Sequence, residues 1–127
     1  MDKKLWEPGL AKRKAVLGDA YVDKAMKAAT EFNAPFQDIL NEFCWGKIWG
    51  DERIPMKYRS LINIAMIASL GRMEEFELHF KGAITNGCSR DELQSVLHQV
   101  AIYAGMPAGV ACFKIANRIF AEIDAKT

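Results

Sequence analysis

From its first residues to its last, the chain spaces its apolar residues as helices do and nowhere alternates them as a strand would. In "NAPFQDILNEFCWG", Phe36, Ile39, Leu40, Phe43 and Cys44 fall at i, i+3, i+4, i+7 and i+8, a stripe along one helix face. Near the end, Cys112, Ile115, Ala116, Ile119, Phe120 and Ile123 repeat the pattern. Segments of this kind are stable only when their stripes bury one another, so the predicted fold class is all-α. Boundaries follow from caps and breakers. Pro8 opens a first short helix that Gly18 stops, Asp19 caps a second running to about Ala29, and Asn33 caps a third near Pro35. After the break "KIWGDERIP", Pro55 opens the most hydrophobic helix, which ends near Gly71. A further helix spans about Met73 to Asn86, with Gly87 following it. Ser89 and Glu92 then make a capping box, and Gly105 and Pro107 turn the chain into its last helix. The expectation is a compact bundle of about seven helices, one domain covering residues 1–127.

Several function classes are excluded early. With 17 basic and 16 acidic residues the net charge is +1, too little to favour nucleic acid or an anionic membrane. The densest basic run, "KRK" at Lys12–Lys14, reads as a solvated helix face. The longest apolar run, "LINIAMIASL", is about half of what a bilayer needs. "MDKKLWEPGL" carries no signal-like apolar stretch, so a cytoplasmic location is expected. Cys44, Cys88 and Cys112 are odd in number and far apart, without a Cys-x-x-Cys, and offer neither a zinc site nor a dithiol pair. A metal is not expected either, because the Glu-x-x-His pairs by which helical bundles hold di-iron sites are missing. Phosphate-binding glycine loops are also absent.

What remains is a small set of polar and aromatic positions. His79 follows Glu75 by four residues and Arg72 by seven, so the three share a helix face in "GRMEEFELHFKGA". That face is either a solvated surface, with Glu75 pairing His79, or a reaction site in which Glu75 raises the histidine's pKa and orients its ring. His98 sits in the apolar "SVLHQVAIYAG" and is either a boundary residue or a second donor. Trp45 and Trp49, one turn apart, suit a core, an interface or a ligand pocket. Tyr103 brings a phenol into the corner "YAGMPAG".

These stretches carry a resemblance. "GLAKRKAVLGDAYVDKA", "FQDILNEFCWGKIW", "YRSLINIAMIASLGR", "ELHFKGAITNGCSRDEL" and "VLHQVAIYAGMPAG" are similar, over almost the whole length, to the carboxymuconolactone decarboxylase family. The resemblance implies an alkyl hydroperoxidase D-like helical fold assembled as a homo-oligomer, a trimer or a hexamer. The redox branch of that superfamily carries a Cys-x-x-Cys ahead of the matching histidine and a glutamate further upstream. Here those cysteine positions are Arg72 and Glu75, and the glutamate position is Ser60. Thiol peroxidase chemistry needs a low-pKa thiolate with a resolving partner and is therefore excluded.

The implied reaction removes CO2 from a γ-lactone that bears a carboxylate on a ring carbon. The ring is its own electron sink, so no cofactor is required, and the ligand is a small-molecule lactone carboxylate. By the same resemblance His79, Glu75 and Arg59 are catalytic candidates, Arg59 being favoured by its "RSL" context. Arg72, His98, Trp45, Trp49 and Tyr103 are candidates for binding the substrate. A paralogue acting on another lactone or small molecule, or a non-catalytic binding oligomer, is the alternative.

Overall fold

A computed structural model describes all residues, 1–127. Seven α-helices follow one another: α1 (Lys3–Leu17), α2 (Asp19–Lys27), α3 (Ala34–Ile39), α4 (Met56–Ser69), α5 (Met73–Thr85), α6 (Arg90–Ala104) and α7 (Met106–Ala125). A π-helical segment (Leu40–Ile48) continues α3, and no strand is present. The expected all-α class and the number of helices are both met. The helices form two compact units, Met1–Met56 and Lys57–Thr127.

In the first unit, α1 starts before Pro8. The Asp2 side chain accepts from Lys4 N at 2.9 Å and caps the helix, so Pro8 lies inside α1, on an exposed turn where the lost N–H faces solvent. Asp19 is likewise the first helical residue of α2 rather than its cap; that position is held by Gly18. The carboxylate still lies in the first turn, where the helix dipole favours it.

The stripe expected from Phe36 to Cys44 is not the buried one. Phe36, Ile39 and Phe43 are exposed, and Asn41, Trp45 and Trp49 are buried instead. From Leu40 onward the turns are wider: Trp49 N donates to Cys44 O at 3.0 Å, an i→i−5 bond. That spacing advances the register, so the inward face follows 41, 45 and 49. The two indoles stack with centroids 4.8 Å apart and pack with Val16, Leu17, Cys44 and Met56.

Helix α1 lies almost backbone to backbone on the π segment. A Cβ at Gly9 would overlap the Asn41 carbonyl oxygen and lie 2.7 Å from Gly46 N, and one at Gly46 would overlap the Leu5 carbonyl oxygen. Trp6 Nε1 donates to Asp38 Oδ1 at 3.0 Å, and Asp2 N to Glu42 Oε1 at 3.0 Å. The "KRK" run is correspondingly not a solvated face, because Arg13 is buried within this seam.

The second unit is α4–α7 around Ile64, Ala68, Phe76, Phe80, Leu93, Leu97, Cys112, Ala116 and Ile119. Phe80 meets Phe120 edge-on at 5.5 Å, and Arg90 covers Phe120 at 4.2 Å while pairing with Asp124. The predicted capping box is present: Glu92 N donates to Ser89 Oγ at 3.1 Å, and Ser89 N to Glu92 Oε1 at 2.9 Å. Between α6 and α7, Gly105 adopts φ +121°, which only glycine takes without strain. A Cβ at Gly109 would come within 2.6 Å of Ala101 Cβ, so this glycine sets the closeness of the two helices.

Alanine in a helix interior is ordinarily more stable than glycine by up to about 1 kcal/mol. At Gly9 the sign is expected to reverse, with Gly9→Ala costing roughly 1–3 kcal/mol through overpacking. Chemical denaturation of the two proteins checks this.

Candidate active site

Helices α4 and α5 present polar groups to each other. Asn63 Nδ2 lies 3.4 Å from His79 Nδ1, and Asn86 Nδ2 donates to Ser60 Oγ at 2.9 Å. Ser60 is buried, so its hydroxyl needs such a partner. The rotation of α5 is set by Phe76, Phe80 and Ala83, all fully buried. His79 then stands beside that stripe, half-buried, with α4 in front of it. When the neutral imidazole carries its proton on Nε2, Nδ1 accepts from the Asn63 amide and Nε2–H remains a donor.

Glu75, one turn before His79, is exposed and attracts the imidazolium. The expected rise in the histidine's pKa does not follow. Burial is the larger influence and holds His79 below its ordinary value, because a desolvated imidazolium is disfavoured more than the partly solvated carboxylate favours it. His79 is accordingly neutral at pH 7.

The other candidates are distributed as follows. Arg59, of intermediate exposure, precedes Asn63 by four residues and so shares its face of α4. Arg72 is the N-cap residue of α5, exposed and without a capping side-chain bond. His98 faces α7, its ring 5.6 Å from that of Phe113, at a cavity of about 510 Å³ also lined by Met106, Val110 and Lys114. Tyr103 is 86 % exposed beside a second cavity of about 360 Å³ with Leu61, Ile62 and Val96. Trp45 and Trp49 belong to the core of the first unit. The structure thus gathers His79 with Glu75, places Arg59 a turn from His79's partner, and sets His98 and Tyr103 against other surfaces.

Asn63 was not singled out from sequence, where it reads as an interruption of an apolar run. Its position four residues after Arg59, on the face a neighbouring helix must cover, is the signal that marks it. The thiols are free, and burial pushes all three up, Cys112 to about 11. None is an activated nucleophile.

The sequence profile described as "Carboxymuconolactone decarboxylase family" matches residues 34–118. The chain belongs to the carboxymuconolactone decarboxylase family. It is 33% identical over 122 residues to the 4-carboxymuconolactone decarboxylase of Acinetobacter baylyi, covering 96% of this chain and 91% of that one. It is 31% identical over 118 residues to the nitrosuccinic acid decarboxylase npaB of Metarhizium robertsii, covering 93% and 82%. A 45-residue match, 36% identical, links it to a 4-carboxymuconolactone decarboxylase of Pseudomonas putida, covering 35% of this chain and 94% of the relative. Within this family member, His79 is the histidine of the "LHFKGA" stretch and Ser60 belongs to "YRSL". No helix is long and apolar enough to cross a membrane.

The depressed His79 value fixes the direction of a titration. Its stabilising contribution is in place above the unfolded value of about 6.5 and is lost as pH falls from there through the lower folded value. Proton NMR of the His79 ring is expected to give a midpoint below about 6.5. Glu75→Gln should lower that midpoint further, since it removes the one influence that raises it. A midpoint above the ordinary value would contradict the role of burial.

Proposed function

We propose that the protein removes CO2 from 4-carboxymuconolactone to give the β-ketoadipate enol-lactone, a step of protocatechuate breakdown, and does so in the cytoplasm as a homo-oligomer. The observation that carries this reading is the half-buried, neutral His79 braced by Asn63, in a chain related over nearly its full length to decarboxylases.

The chemistry asks little beyond position and electrostatics. The bond from the ring carbon to the carboxylate breaks, and its electron pair runs through the ring double bond into the lactone carbonyl. Charge collects on that oxygen until a proton is added to carbon. A neutral imidazole protonated on Nε2 is suited to hydrogen-bond the oxygen as charge develops, in a site where burial strengthens the interaction. Asn63 keeps the ring oriented. Glu75, close enough to act on His79, supports transient protonation of the ring during proton transfer. Arg59 holds a substrate carboxylate with its planar fork, and Arg72 is the second candidate for that task.

The relative named for nitrosuccinic acid supports a second reading, in which the acid decarboxylated is another carboxylate next to an electron-withdrawing group. The two are separated by incubating the protein with each acid in turn and measuring released CO2.

His79→Gln is expected to lower kcat on 4-carboxymuconolactone by roughly 10²- to 10⁴-fold with the melting temperature nearly unchanged. Full activity in this variant would remove His79 from the chemistry.

The assembly has its own motivation. Phe32, Phe36, Ile39, Phe43 and Ile48 in the first unit, and Ile102, Tyr103, Met106 and Val110 in the second, are exposed, apolar side chains that contacts between subunits would remove from water. Sedimentation is expected to show a trimer or hexamer, and a 14.3 kDa species alone at micromolar concentration would contradict it.

A further inference from the structure

Arg13 is the only charged side chain that is buried, at 5 % exposure. Its Nη1 donates to Gln37 Oε1 at 2.9 Å and to Asn41 Oδ1 at 3.0 Å, and lies 3.9 Å from Met26 Sδ. Each of these partners is neutral. The Nε atom is buried with no hydrogen-bond partner. The groups that act on Arg13 electrostatically are the Tyr21 phenol and the Cys44 thiol, with no carboxylate among them.

A buried guanidinium without a counter-charge is unfavourable, and a chain gains nothing in stability by keeping one. A guanidinium binds carboxylates in bidentate fashion through either of two edges, the Nη1–Nη2 end or the Nε–Nη2 side. Gln37 and Asn41 hold Nη1, which fixes the direction of the fork and commits its end. The side that carries the unpartnered Nε is the one left to a ligand. Of the residues that touch or act on Arg13, Met26 and Gln37 are half-buried and Tyr21 is exposed.

We infer that Arg13, clamped from behind by Gln37 and Asn41, is a carboxylate-binding residue whose Nε side receives one carboxylate of a small dicarboxylic acid. The choice of ligand class rests on the proposed decarboxylase reading, because 4-carboxymuconolactone and nitrosuccinic acid are both dicarboxylic acids. The buried, unpartnered Nε does not rest on it.

The test uses the full chain labelled with ¹⁵N-arginine and titrated with glutarate, with glutaramide as the uncharged control. One Nε–H resonance, missing from Arg13→Lys, should shift and saturate with glutarate and stay in place with glutaramide. Calorimetry should show glutarate binding weakened at least about tenfold in Arg13→Lys, which keeps the charge but loses the fork. Should that variant fail to fold, the wild-type titration decides the matter, since a buried Nε–H is set apart by slow exchange with water. An unmoved resonance, or equal binding by a folded Arg13→Lys, overturns the inference. So does a change of oligomeric state in Arg13→Lys without any glutarate response, which would give the site to a carboxylate of a neighbouring copy. None of these readouts requires turnover, so their failure is distinguishable from failure of the decarboxylase reading.

Discussion

Phe76 and Phe80 fix the rotation of α5 in the second unit. Both are fully buried and one helical turn apart, so α5 can bury them only in one rotation about its axis. That rotation puts His79 at the edge of the stripe, where water is mostly removed but the ring is not enclosed. Desolvation then keeps the imidazole neutral against the pull of Glu75. Asn63 faces it from α4. The chemistry proposed for His79 is therefore a consequence of packing: the aromatic residues that do no chemistry hold the acid–base group in its useful protonation state.

The first unit rests on a different constraint, the near contact of two backbones. Gly9 and Gly46 let α1 and the π segment approach closely, and the widened turn carries Trp45 and Trp49 inward. The same register buries Asn41, whose side chain joins Gln37 in holding Arg13. A buried cation surrounded by amides is an arrangement that packing alone does not call for, and its Nε is buried without a hydrogen-bond partner.

Much of this was legible in the sequence where a local rule acts alone. The Ser89–Glu92 box, the stop at Gly105 and the stripe of α7 stand where cap chemistry and period predict them. The errors arise where tertiary contacts decide. A stripe counted at 3.6 residues per turn put Phe36, Ile39 and Phe43 inside, but all three are exposed, and from Leu40 onward the π segment changes the count. Asp2 caps α1 and so makes Pro8 an interior residue. Arg13 lies in a basic run that reads as surface, and only the packing of α1 shows that the middle residue is buried. At the site, the helical spacing of Glu75 and His79 was readable, yet the direction of the histidine's pKa was not, since it depends on how much of the ring α4 covers. Asn63 belongs to the same category: its partner lies 16 residues away on another helix.

The central claim is that a neutral, desolvated His79 acts on a carboxylate substrate. The dependence of kcat/KM on pH for 4-carboxymuconolactone, followed from about pH 8 to about pH 5, tests it most directly. The rate is predicted to stay level through neutral pH and to fall only below the ordinary histidine value of about 6.5, as the ring becomes protonated. A rate that instead rises as pH falls through about 6.5 would mean that the imidazolium is the working form, and would contradict the account.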